Sequence, residues 1–251
     1  MNKFKDVFEK IKLKNNTEKE VTGIIRTIKD EKYLPDLMHL QNIIFDHLDR
    51  EDSLQSFPED FMQQHIKEKG FILGVFCNEK LIAFRNTYFP DIDDSEWNLG
   101  LDLGFSDKEL ARVVNFQLVC VHPDFRGNSL ANTLNNLAIK TLKSNYPHYH
   151  LCATVSPYNV WNIRVLLDSG FIIKKLKTKY NGKLRYIVYQ DLRRDYHPKK
   201  TPDIPVELLD FTKQKELFKQ NILGMDIKYN GYDRMPQKID LQNVEIFFGN
   251  H

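Results

Sequence analysis

One segment restricts the folds open to this chain more than any other: VVNFQLVCV, then HPDFRGN, then SLANTLNNLAIKTL, over Val113–Leu142. The first part is rich in β-branched residues and reads as a strand. The last part repeats Leu130, Leu134, Leu137, Ala138 and Leu142 at helical spacing. A strand that passes through a tight turn straight into a helix leaves backbone N–H groups free at the helix start, where partial positive charge collects. Such an end binds anions, phosphate above all. Gly127 lets a ligand approach the backbone closely, and Arg126 adds a forked cationic donor. Ser129 and Ala131 are small. The segment therefore predicts a pyrophosphate cradle. It is neither a GxxxxGK[ST] loop nor a GxGxxG fingerprint.

The remaining pattern alternates short strands and helices. Val21–Thr27 alternates as a strand, Leu34–Leu48 and Pro58–Lys69 read as amphipathic helices, and Phe71–Cys77 with Leu81–Tyr88 reads as a hairpin. A long, acid-rich connection follows. Within it Ser106 and Glu109 form a capping-box pattern that predicts one short helix. Beyond the central segment come a strand at His150–Val155, a helix at Asn159–Ser169 ending at Gly170, and a hairpin, Phe171–Lys179 with Leu184–Asp191, around Asn181-Gly182. The first twenty residues read as a charged helix or arm, HPKKTPDIP as a linker, Val206–Leu223 as a helix and Val244–Phe248 as a last strand. Three regions are expected: an arm over 1–20, a main domain over 21–191 and an extension over 192–251, a helix plus a short strand that packs over the site, forms a dimer interface or caps the sheet.

Composition excludes several function classes. Of 251 residues, 36 are Lys or Arg and 34 Asp or Glu, a net charge of +2 that gives no electrostatic reason to expect nucleic acid or an anionic membrane as partner. The basic runs Ile173–Lys179 and Arg193–Lys200 read as solvated faces. No apolar run approaches the roughly 18–20 residues of a membrane span. The charged start lacks the apolar core of a signal peptide, so a cytoplasmic location is expected. Cys77, Cys120 and Cys152 are an odd number without CxxC spacing, which predicts buried thiols. The eight histidines include no HExxH pair, and no metal is expected.

The central segment resembles the acyl-coenzyme A signature of the GCN5-related N-acetyltransferase (GNAT) family, V-x-P-x-x-R-G-x-G-x-G/A, through Val121, Pro123, Arg126, Gly127, Asn128, Ser129, Leu130 and Ala131. The family's second signature, an Asn followed eleven residues later by Gly-Phe, matches Asn159 and Gly170-Phe171. The order of strands and helices over 21–191 is similar too. The resemblance implies an α/β fold with a mixed, mostly antiparallel central sheet, splayed middle strands and helices on both faces. It implies a direct transfer of an acetyl group from acetyl-CoA to a primary amine, on a small molecule or a peptide, by a monomer or homodimer. By position, Leu118, Val119 and Val121 would offer backbone groups to the pantetheine arm, and the Val119 amide would stabilise the oxyanion. Arg126, Gly127, Asn128, Ser129, Leu130 and Ala131 would hold the pyrophosphate, with Asn159 and Asn162 on the pantetheine arm.

Two positions depart from the family pattern. Ser129 stands where Gly is usual, and Leu166 stands where many members carry a Tyr that protonates the leaving thiolate. Asn115 and Gln117 on the signature strand are not bases. His122 at its end and Tyr158 before Asn159 are the candidates for proton transfer. Each also reads structurally, His122 as a turn residue and Tyr158 as a packing aromatic, while Asn159 also reads as a helix cap. Asp91, Asp93, Asp94 and Glu96 could attract a cationic amine or serve as loop charges. The departures motivate two alternatives, a non-catalytic CoA-binding module and an acyltransferase for a longer acyl-CoA.

Overall fold

The computed structural model describes residues 8–48, 50–194, 203–233 and 238–250. One twisted sheet of eleven strands organises them. In chain order these are β1 (Phe8–Lys14), β2 (Glu20–Ile28), β3 (Gly70–Cys77), β4 (Lys80–Tyr88), β5 (Val113–Val121), β6 (His150–Val155), β7 (Ile172–Lys179), β8 (Lys183–Asp191), β9 (Ile204–Glu207), β10 (Leu223–Tyr229) and β11 (Val244–Gly249). Across the sheet they run β1-β2-β3-β4-β5-β6-β8-β7-β10-β11-β9. Every neighbouring pair is antiparallel except β5 and β6. The mixed, mostly antiparallel sheet is thus present, with a single parallel pair in its middle.

Strand alternation sorts side chains to two faces. On one face Leu73, Val75 and Phe116 pack with α5 (Leu130–Asn145) and α6 (Val160–Asp168). On the other, Ile72, Phe76, Phe84 and Leu118 pack with α1 (Leu34–Asp46) and α2 (Glu59–Lys67). Each fully buried Leu or Ile in these layers contributes roughly 1.5–3 kcal/mol relative to exposure. Pro35 in the first turn suits the start of α1, whose buried residues Leu37, Leu40 and Ile44 keep the spacing seen in the sequence. The three cysteines are buried free thiols. Among the described residues no helix is long and apolar enough to cross a membrane.

Three expectations need correction. The start is a strand where described: Ile11 and Leu13 alternate with lysines, and β1 pairs along its length with β2. Asn15 closes the hairpin by accepting from the N–H groups of Thr17 and Lys19 at 3.1 and 3.0 Å. Residues 1–7 of the proposed arm lie outside the described residues. The long connection holds two short helices, α3 (Leu99–Leu103) as well as α4 (Asp107–Leu110), the latter opened by the expected Ser106–Glu109 box. Val206–Leu223 is not one helix. It divides into the end of β9, α7 (Phe211–Lys219) and the start of β10, because Asp210 caps α7 by accepting from Lys213 N–H at 2.9 Å and Asn221 turns left-handed after it. The last three strands continue the sheet beyond β7 through β10. Most of the expected linker, 197–202, and of the basic run after Arg194 lies outside the described residues.

Candidate active site

The site begins with a defect in the sheet. β5 pairs with β6 only from Val113 to Phe116, opposite His150 to Ala153. Just beyond, the register against β4 shifts: Thr87 faces Phe116 but Asn86 faces Leu118, so Gln117 is an extra residue. A bulge of this kind bends its strand. From Gln117 onward β5 follows β4, while β6 continues along β8 through Thr154 and Val155. A V-shaped opening lies between them.

Hydrogen-bond parity decides which backbone groups face that opening. His122 N–H donates to Ile82 O on β4 at 2.8 Å. Residues of an antiparallel strand alternate between bonding the neighbour and pointing away. Cys120 and Leu118 therefore face β4, and Val121 and Val119 direct their N–H and C=O groups to the opening. Leu118, expected to offer its backbone to a ligand, is a correction: its groups belong to the ladder, opposite Asn86.

A cleft occupies the opening. Phe116, Gln117 and Val119 of β5 form one wall and Ala153, Thr154 and Val155 of β6 the other. Asn162 and Leu166 of α6 close the face towards α5 and α6, and Ser53–Gln55 with Phe57 roof the opposite face. That roof is held by Gln41 of α1, whose side chain both donates to Phe57 O and accepts from Phe57 N–H at 3.0 Å. Leu166, at the position where a Tyr is common, is in the cleft wall.

Three polar side chains in the cleft belong to no motif of the sequence. Tyr180, at the tip of the β7–β8 hairpin, stacks on Trp97 at 5.0 Å and places its hydroxyl 3.3 Å from Thr154 Oγ1. Burial pushes that hydroxyl up to about 12, so it holds its proton at neutral pH. Arg85 is 2% exposed, bonds Asn135 Oδ1 through Nε at 2.9 Å and through Nη2, and lies over the Phe116 ring. Burial lowers its guanidinium to about 9. Arg185, also 2% exposed, donates among the described residues only to Leu184 O, at 2.8 Å, and its buried Nη2 has no partner among them. The one available signal is an arginine inside an apolar strand, LIAFRNTY and KLRYIVYQ. The tertiary approach of the hairpin tip to the opening has no local signature.

The turn after β5 is a separate, open surface. Gly127 has φ +84°, with nothing within 4 Å of the point a Cβ would occupy, and Ser129 is also left-handed at φ 54°. No side chain caps α5, whose first N–H groups stay available. Arg126, Gly127 and Ser129 are exposed, Ala131 is half-buried and Leu130 is buried in the core. Arg126 has no ion pair among the described residues. Asn128 faces away: its side chain accepts from Lys14 N–H at 2.8 Å and donates to Lys14 O at 2.7 Å and Phe125 O at 2.9 Å. Asn16 adds a 2.8 Å bond to Asp124. The β1–β2 hairpin is thereby a brace for this turn. Open backbone, uncapped helix start and unpaired Arg126 fit a diphosphate, and the outward groups of Val119 and Val121 fit an amide-bearing arm.

Other candidates lie elsewhere. His122 caps the turn, its Nδ1 accepting from Asp124 N–H at 3.2 Å, and does not line the cleft. Tyr158 is packed under Arg50, 4.1 Å from its ring, and against Phe211 of α7; it too is outside the cleft lining. Asn159 caps α6 by accepting from Asn162 N–H at 3.1 Å. Asp91 pairs with Lys69 at 2.6 Å, and Asp94 accepts from Tyr88 OH at 2.8 Å.

No protein-family profile and no curated protein sequence matches the chain. Solved structures do. An acetyltransferase of the GNAT family from Streptococcus pneumoniae superposes with a TM-score of 0.51 at 16% identity, covering 67% of this chain and 98% of its own. A putative arylalkylamine N-acetyltransferase 7 from the yellow fever mosquito gives 0.54 at 11% identity, covering 76% and 98%. An uncharacterized protein from Bacillus halodurans gives 0.52 at 12%, covering 86% and 97%. At these identities the likeness concerns architecture. The chain has the fold of the GCN5-related N-acetyltransferases.

Proposed function

We propose that the protein is an N-acyltransferase that takes an acetyl group from acetyl-CoA and passes it directly to an amine. The observation that carries this reading is the opening between β5 and β6, with outward-facing Val119 and Val121 at one end and the uncapped start of α5 at the other. Several solved structures with this fold bear the name of acetyltransferases.

A bound acyl-CoA supplies an activated carbonyl carbon and a thiolate leaving group. Arg126 and the N–H groups after Gly127, through Ala131, hold the diphosphate. Asn162, with Asn159 at the helix cap, lies along the arm. The Val119 N–H donates to the thioester oxygen as negative charge grows there. The acceptor enters as a free amine after losing a proton to solvent. The N–C bond forms, the C–S bond breaks, and nitrogen releases a further proton to water. Tyr180, protonated at neutral pH, gives its proton to the sulfur and recovers one from solvent. This reading prefers Tyr180 over Tyr158 and His122 because it alone lines the cleft. A CoA-binding module without turnover is the second reading, favoured by Leu166 and by the lack of any His, Asp or Glu in the cleft lining.

Thermal denaturation with acetyl-CoA tests the first step. At a hundred times its Kd the ligand should add about 2.7 kcal/mol of stability, and Arg126→Ala should lose most of that gain. No shift with any acyl-CoA sinks the proposal. Binding without a product from a broad amine panel favours the second reading. Tyr180→Phe, which keeps the stack on Trp97, should lower kcat about a hundredfold.

A further inference from the structure

The cleft carries a charge imbalance that acetyl transfer to a simple amine does not require. Two buried arginines, Arg85 and Arg185, line it, and no Asp or Glu does. Arg185 makes no ion pair among the described residues, and its buried Nη2 has no acceptor. Asp52, beside the roof segment, bonds Arg50 twice at 3.0 Å and acts on Arg185 only through its charge, with no hydrogen bond between them. Gln117 Nε2, on the bulge, is a second buried donor without an acceptor in the same cleft. A buried cation with no bonded counter-ion is costly, so two orphaned donors on side chains that line one cavity mark a missing partner rich in acceptor oxygens.

The faces of the sheet say which substrate brings it. Tyr186 packs in the core towards α5 and α6, so alternation puts Arg185 on the opposite face, with Tyr180 and the Ser53–Phe57 roof. Arg85 is on the α5 face, bound to Asn135. The signature turn leads into α5, so a donor arm reaches the opening from the α5 side and Arg185 faces the chamber beyond its end. Resting on the acyltransferase reading above, we infer that the acceptor carries a carboxylate that pairs with Arg185 and Gln117: the substrate is an amino acid or a compound with the same amine-and-carboxylate pair. A forked guanidinium matches a carboxylate in geometry as well as charge. The same positive surroundings disfavour an ammonium and hold the acceptor nitrogen as a free amine, which accounts for a cleft with no carboxylate base. A polyamine or another multiply cationic acceptor is a poor match.

The test pairs each of the standard amino acids with its decarboxylated amine, using acetyl-CoA as donor. Acetyl-CoA binding is measured first by calorimetry; its absence overturns the acyltransferase reading itself, whereas binding followed by no carboxylate preference overturns only this inference. The expected result is kcat/KM at least a hundredfold higher for one or more amino acids than for the matching amines. Arg185→Met should remove that preference mainly through KM and leave acetyl-CoA affinity unchanged, and Arg185→Lys should restore part of it. Because its partner is absent without substrate, Arg185→Met should melt no lower than the parent protein; a large fall in Tm marks a structural arginine and counts against the inference. Turnover of amines in preference to amino acids overturns it, as does no turnover of any amino acid. A separate arm compares succinyl-CoA with acetyl-CoA: an Arg185-dependent gain in affinity for succinyl-CoA assigns the carboxylate to the donor and overturns the acceptor assignment.

Discussion

The signature turn and the floor of the cleft are neighbours built on opposite principles. The turn presents backbone: left-handed residues at Gly127 and Ser129, an uncapped helix and one exposed arginine. Its ligand groups come from a single stretch of chain. The floor and roof of the cleft present side chains from β4, β5, β6, α6, the β7–β8 hairpin and the α1–α2 connection, all buried or half-buried. The turn binds what any backbone start of a helix binds, whereas the floor selects by the side chains that line it. A common donor and a particular acceptor call for that division. Substitutions at the turn should therefore act through the backbone, and substitutions at the floor through single side chains.

The sharpest challenge to that contrast is Val119→Pro, where the wall of the cleft depends on a backbone group. Proline removes the N–H that faces the opening and costs the β4 ladder nothing, because Val119 bonds away from β4. Activity should fall about 10²–10³-fold, the loss seen when one oxyanion donor is removed, with the melting temperature little changed. An active Val119→Pro protein removes the oxyanion role from this residue.

Legibility in the sequence follows the same contrast. The turn is readable because its determinants are contiguous: β-branched strand, Arg126-Gly127, then a helical period. The bulge at Gln117 is not, since it is a mismatch between two strands whose register depends on both. Tyr180 is hidden for a related reason. Asn181-Gly182 predicts the hairpin, but the stack of Tyr180 on Trp97 depends on how the long connection folds back, with α3 anchored by Asp102 to Lys179 at 2.6 Å and to Lys177. The β1 strand reads as a helix or arm because its apolar residues are few and its lysines are many. Pairing with β2 and the brace on Asn128 give it a role that composition does not reveal.

The packing of α2 beside the cleft should also respond to pH. On α2, His65 is fully buried between Phe61 and Tyr88, with Nδ1 2.8 Å from Asn86 Oδ1. Burial lowers its imidazole to about 4 from 6.5. The unfolded chain takes up the proton first, so this contribution is complete above pH 6.5 and is lost as pH falls towards about 4. The loss is about 3 kcal/mol. Denaturation across that range should show a slope that His65→Phe reduces, whatever that variant's stability at pH 7. An unchanged slope assigns acid sensitivity to other groups, such as His148, which burial shifts the same way.

The smallest expected effect tests whether the turn acts as backbone alone. Asn128 is in the signature, yet its side chain spends all three of its bonds on protein: Lys14 N–H, Lys14 O and Phe125 O. Asn128→Ala keeps every backbone group of the turn and cuts its link to the β1–β2 hairpin. These partners are near the surface and regain water, so the cost in stability should be about 1–2 kcal/mol, at the low end for three hydrogen bonds. Acetyl-CoA affinity should fall only about fivefold, about 1 kcal/mol, because what is lost is the bracing of the ligand groups. A fall as large as that of Arg126→Ala makes Asn128 a direct ligand, which requires the side chain to leave Lys14 when the donor binds. The two cases separate in a double substitution: bracing predicts that Asn128→Ala and Arg126→Ala add, since one orders the loop and the other removes a cation, whereas a shared contact with one phosphate predicts that they do not.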